Sequence, residues 1–153
     1  ANVNSYRKIL AAEPDRKNFA RLVKNTQGFT DTECLNVCIS DADGEILFAS
    51  DGGRNGKADA GGIPVKAMTV DSIIGSGDVT YIKFDVEGLE KEALSGAAET
   101  IKRCKPKMLV SCYHRSEDIF ALVKQINEIN GDYKIYLRHH PHISFWDTNI
   151  YCI

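Results

Sequence analysis

Apolar and polar positions run in two rhythms along this chain, and the changes of rhythm divide it into elements. Alternation with period two reads as a strand with one wet face, and apolar residues three or four apart read as a helix. Residues 7–12 predict a short strand ending at Glu13-Pro14-Asp15, where proline cannot extend a ladder and Asp15 can cap a helix. Phe19, Leu22 and Val23 form the stripe of that helix, with Arg16, Lys17, Arg21 and Lys24 on its wet side. Residues 33–39 predict a second strand, 40–44 a turn and 45–49 a hairpin arm. Residues 50–62 carry five glycines and no apolar side chain larger than alanine, which predicts a mobile loop. Residues 63–70 return as strand, before a turn at Gly75-Ser76-Gly77.

The middle of the chain has the clearest grammar. An apolar run, Val79-Thr80-Tyr81-Ile82, passes through Lys83-Phe84-Asp85-Val86-Glu87-Gly88-Leu89-Glu90 into a helical pattern at Leu89, Ala93, Leu94, Ala97, Ala98 and Ile101. Met108–Cys112 then supplies a further strand. Strand, helix, strand is a βαβ unit, whose crossover makes the two strands parallel. His114-Arg115-Ser116 ends that strand, and Ser116 is the expected cap of a helix bearing Ile119, Phe120, Leu122, Val123, Ile126 and Ile129, stopped at Gly131. Residues 133–137 and 149–153 predict a closing antiparallel pair.

Ligands of such sheets bind beyond the carboxyl ends of the strands. The predicted strands end at Glu13, at Ser40 and Asp41, at Asp85 and at His114, so an acid, hydroxyl or imidazole stands at each end. Any one of them could simply cap a helix. All of them on one edge predict a ligand crevice.

Composition narrows the classes. The chain has 153 residues, 43% of them hydrophobic, and a net charge of -2, which gives no sign of a nucleic-acid or anionic-membrane partner. Five cysteines, an odd number, are scattered through apolar contexts and fit buried thiols in a reducing cytosol better than a disulfide framework. Cys34 and Cys38 fall on one predicted strand without a matching second pair, so no zinc site is expected. His139, His140 and His142 around Pro141 read as a hydrogen-bonded loop, and Phe145 and Trp146 as packing.

These residues carry a resemblance. Glu13-Pro14, the stretch Tyr81–Glu90, Leu94-Ser95-Gly96-Ala97, Lys105-Pro106, Tyr113-His114-Arg115 with Glu117-Asp118, Tyr136–His140 and Asn149-Ile150-Tyr151 resemble the FkbM family of S-adenosylmethionine-dependent methyltransferases. Lys-x-Asp-x-Glu-Gly-x-Glu with the downstream Gly-Ala is its specific part. The resemblance implies an α/β, Rossmann-like methyltransferase fold, with a mostly parallel sheet and an antiparallel C-terminal edge pair. It implies methyl transfer from S-adenosylmethionine to a hydroxyl, of a carbohydrate or secondary metabolite. By position, Glu13 would bind the ribose hydroxyls, Ser40 and Asp41 would border the adenine, and Asp85 would face both the sulfonium and the acceptor. Asp85 or His114 would be the base and Glu87 would hold the turn. From the residues alone, Asp85 and Glu87 straddle a strand–helix junction where a shared divalent ion is possible but unsupported, so no metal is expected.

Such enzymes begin with a strand and a glycine-rich loop, whereas this chain starts just before the strand that ends at Glu13. The expectation is therefore a single methyltransferase domain over residues 1–153, truncated at its N-terminus, inactive alone and self-associating through exposed sheet edges. A non-catalytic module of the same fold and another Rossmann-type nucleotide enzyme are the competing readings.

Overall fold

The structure, a computed structural model, describes residues 6–49, 57–58, 62–139 and 147–153. The predicted loop at 50–62 lies mostly outside the described residues, as do His140, His142, Phe145 and Trp146. The chain falls into two compact units, residues 1–38 with 44–67 and residues 39–43 with 68–153.

In the first unit, β1 (Ile9–Ala12) leads into α1 (Arg16–Thr26) and β2 (Thr32–Leu35). The two strands pair in parallel, with Ile9 opposite Thr32. Asp15 caps α1 as expected: its backbone is extended and its carboxylate accepts the Asn18 N–H at 2.8 Å. Residues 33–39 are not one strand. The ladder stops at Leu35, and β3 (Cys38–Ile39) is a separate short strand, so Cys34 and Cys38 do not share a strand face. Asn36 lies between, its side-chain amide donating to the Glu13 and Pro14 carbonyls. Next come β4 (Gly44–Ala49), β5 (Lys57–Ala58) and β6 (Ile63–Met68), with β4 antiparallel to both β5 and β6. The strand predicted to reach Val70 ends at Met68, because Thr69 is the N-cap of a helix, its hydroxyl accepting the Ser72 N–H.

The second unit holds α2 (Val70–Ile74), β7 (Tyr81–Phe84), α3 (Glu90–Ser95), α4 (Ala98–Cys104), β8 (Lys107–Ser111), α5 (Asp118–Ile129), β9 (Ile135–His139) and β10 (Thr148–Cys152). Its sheet has the order β7-β8-β10-β9. The βαβ expectation holds: β7 and β8 are parallel, with Phe84 opposite Val110. The closing strands are antiparallel, as expected, and β10 also lies antiparallel against β8. The sheets taken together are therefore mixed, not mostly parallel: β10 runs antiparallel to both β8 and β9, and β4 to β5 and β6, against the parallel pairs β1–β2 and β7–β8. One apolar core unites the unit. Phe84, Val110 and Ile150 from the sheet pack with Leu94 and Ile101 from the crossover and Leu122 and Ile126 from α5, all fully buried. All five cysteines are free thiols.

The crossover is two helices where periodicity predicts one. A Cβ on Gly96 would collide with the Ser40 carbonyl oxygen, so only glycine lets these backbones touch. The interrupted helix still needs its N–H groups satisfied. Asp71 supplies that from a distance: its carboxylate accepts Thr100 N–H at 2.7 Å and Glu99 N–H at 3.1 Å, while its own N–H donates to the Gly96 carbonyl. At α5 the expected Ser116 cap is not used. Its hydroxyl contacts Glu117, the helix starts at Asp118, and Asp118 accepts the Arg115 N–H. The helix stops at Ile129 through an extended Asn130, one residue before Gly131.

Gly96→Ala should destabilise the protein by about 1–3 kcal/mol, the usual cost of forcing atoms into a closed space. The urea midpoint measures it, and an unchanged midpoint would show that the Ser40 contact is not tight.

Candidate functional site

The end of β7 carries the chemistry. Phe84, the last residue of the strand, is buried, and the next side chain along the same face as Lys83 is Asp85. Lys83 Nζ reaches Asp85 Oδ2 at 2.9 Å, and the Tyr113 hydroxyl, arriving from the end of β8, donates to Oδ1 at 2.9 Å. Burial alone would raise the Asp85 pKa, but the Lys83 and Tyr113 hydrogen bonds outweigh it and leave it below its ordinary value. Tyr113 shows the reciprocal effect: burial and the adjoining carboxylate push its phenol well up, so it stays a donor.

After Asp85 the chain turns tightly. Glu87 has φ 55° and Gly88 φ 94°, both left-handed, a conformation that costs a residue with a Cβ about 1–2 kcal/mol. The turn delivers Glu90 to the start of α3, where only 1% of it is exposed and Oε1 accepts Val86 N–H at 3.0 Å. His114 arrives from the β8 side, its side chain 8% exposed. Its Nδ1 is 2.8 Å from Glu90 Oε1, and its Nε2 is 3.2 Å from Glu87 Oε2 and 3.9 Å from Asp85 Oδ1. Burial lowers the imidazole pKa, yet Glu90, then Glu87 and Asp85, more than offset it, and the net direction is upward.

Asp85 and His114, the two expected catalytic groups, are thus brought together. Ser40 and Asp41 lie in the same unit against the α3–α4 break; Ser40 is buried and its hydroxyl donates to Asp41 at 3.1 Å. Glu13 belongs to the first unit, where its Oε1 accepts Asp15 N–H at 2.8 Å and burial raises its pKa. His139 is described and shares a 2.9 Å hydrogen bond with Thr148. Sequence reasoning passes over Glu90, Tyr113 and Lys83 as site residues. Lys83 is legible, since residues two apart share a strand face. Glu90 and Tyr113 stand in stretches that carry the family resemblance, but their part in the site comes from burial and from the neighbouring strand, which local pattern does not show.

Among the described residues, Asp85, Glu90 and His114 are the group with metal-ligating atoms all within 4.8 Å of one another. No described helix is long and apolar enough to cross a membrane.

The sequence model of the Methyltransferase FkbM domain matches residues 1–141. The chain belongs to the FkbM methyltransferase family. The crystal structure of the methyltransferase FkbM from Methylobacillus flagellatus KT superimposes with a TM-score of 0.72 at 30% sequence identity. That match covers 95% of this chain and 36% of the other, so the chain spans little more than a third of its FkbM relative. Comparison with curated proteins gave no match. The resemblance read from the sequence is therefore correct at the level of family, and the fold is α/β with mixed sheets, similar to a solved FkbM structure.

Two variants isolate the strain in the FkbM turn, since both remove the Glu87 carboxylate. Glu87→Gly should be more stable than Glu87→Ala by about 1 kcal/mol, because only alanine keeps the left-handed penalty. Paired urea denaturation curves read the difference, and equal midpoints would mean the turn is unstrained.

Proposed function

We propose that this chain is a Rossmann-like, S-adenosylmethionine-dependent methyltransferase domain that acts on a hydroxyl of a carbohydrate or secondary metabolite. The observation that carries this reading is Asp85, held ionised by Lys83 and Tyr113 at the carboxyl end of β7, within a chain of FkbM family membership. When bound, the cofactor supplies a methyl group on a sulfonium. An ionised carboxylate suits a place beside that cation. It also suits the acceptor: as the hydroxyl oxygen bonds to the methyl carbon and the sulfur–carbon bond breaks, the proton needs an acceptor.

In this reading Glu13 takes the ribose hydroxyls, which a carboxylate does well because it accepts from two vicinal donors at once. Its Oε1 is already braced by Asp15, so its orientation is set before any ligand arrives. Ser40 and Asp41 border the adenine. Most of the rate comes from alignment of oxygen, methyl carbon and sulfur, and rigid strand ends suit that task.

The test is methyl transfer from radiolabelled donor by the full-length protein to a panel of hydroxyl acceptors. Asp85→Asn should lower transfer by about 10²–10⁴-fold, the usual range for a lost acid–base group, with an unchanged circular dichroism spectrum. Wild-type rates in that variant would overturn the assignment of Asp85. Preferential binding of a nicotinamide dinucleotide or a nucleoside triphosphate over the methyl donor would overturn the cofactor.

A further inference from the structure

The cluster around His114 has more negative charge and more unsatisfied polar atoms than its own contacts resolve. Asp85, Glu87 and Glu90 surround the imidazole, and Asp118, itself buried, adds its field to that of Glu90. The opposing cations are Lys83, on the outer oxygen of Asp85, and Arg115, beside Asp118. Glu90 Oε2 is buried with no hydrogen-bond partner. Among the described residues, the two ring nitrogens of His114 face only carboxylate oxygens, at 2.8 and 3.2 Å. Buried polar atoms left in this way call for an explanation, and an uncompensated buried carboxylate is costly.

We propose that His114, Glu90 and Asp85 bind a divalent transition-metal cation, with Glu87 as an additional oxygen donor. One ion would answer the excess negative charge and give Glu90 Oε2 a partner. Ligands held about 2.0–2.2 Å from a common ion lie roughly 3–4 Å apart. On one ring nitrogen, His114 Nε2, Glu87 Oε2 stands at 3.2 Å and Asp85 Oδ1 at 3.9 Å, both within that range. The three residues offer one ligand atom each within 4.8 Å of one another, so side-chain rotation would close the set around a single ring nitrogen. One imidazole with carboxylates favours Mn²⁺ or Zn²⁺ over Ca²⁺, whose sites are built from oxygen alone. The three ligands stand on the end of β7, the first turn of α3 and the end of β8, a rigid frame for a metal site. Lys83 is the competitor: half exposed, it supplies a positive charge to Asp85 that an ion would displace. In the methyl-transfer reading the cation would also bind the acceptor oxygen and acidify its hydroxyl. That consequence rests on the proposed function, whereas cation binding does not.

The experiment is calorimetric titration of the metal-stripped full-length protein with Mn²⁺ and with Zn²⁺, supported by electron paramagnetic resonance of bound Mn²⁺. One ion per chain is expected. Glu90→Gln should weaken binding by about 10–100-fold, His114→Ala should abolish it, and Lys83→Gln, a surface change that leaves the core intact, should tighten it. Absence of binding by the wild type would overturn the proposal. Binding that survives His114→Ala, or that Lys83→Gln weakens, would also overturn it by placing the ion elsewhere. Because no readout involves methyl transfer, failure here and failure of the proposed function are separate results.

Discussion

Parallel pairing of β7 with β8 is the constraint on which the site depends. With Phe84 opposite Val110, the residues just past each strand emerge at one end of the same two-stranded edge. Asp85 leaves β7 there, and Tyr113 and His114 leave β8 there, so groups 28 and 29 positions apart come within contact distance. The pairing is held by the core beneath it, where Phe84 and Val110 are packed by Leu94, Ile101, Leu122 and Ile126. Burying the face that carries Phe84, Met108 and Val110 stabilises the sheet and leaves its polar ends as the place where chemistry is tolerated.

The crossover between those strands shows how one contact reshapes an element. Helical periodicity runs unbroken from Leu89 to Ile101, and local propensity would extend one helix through it. The Ser40 backbone instead takes the space that a side chain at position 96 would fill, and the helix divides. Asp71 then replaces the lost intrahelical bonds by capping the second half from α2. A single missing Cβ thus joins the segment at 39–43, the crossover and α2 into one packed unit.

At the strand ends, charge is concentrated to a degree that ordinary surfaces avoid. A carboxylate with Glu90's burial is compatible with folding only when its charge is answered. His114 answers part of it, and its raised pKa records how strongly the carboxylates draw a proton to the ring. The left-handed backbone at Glu87 adds a second cost at the same place. Strain and crowded charge that persist together mark a position held by the surrounding fold.

Elements that depend on neighbours a few residues away were legible from residue order alone. The Asp15 cap, the strand–turn–helix at Lys83–Glu90, the parallel sense of its crossover and the antiparallel closing pair all come from periodicity, turn residues and loop length. The Lys-x-Asp-x-Glu-Gly-x-Glu stretch is specific enough to point to the family. Features that depend on distant atoms were decided in three dimensions. Packing interrupted the strand at Asn36 and split the helix at Gly96, and it paired β10 with β8, which made the sheet mixed. It also turned Glu90 from an exposed-looking helix residue into a buried partner of His114. Periodicity records which face of an element is apolar; it carries no information about which remote backbone occupies a gap or which charge faces another across two strands.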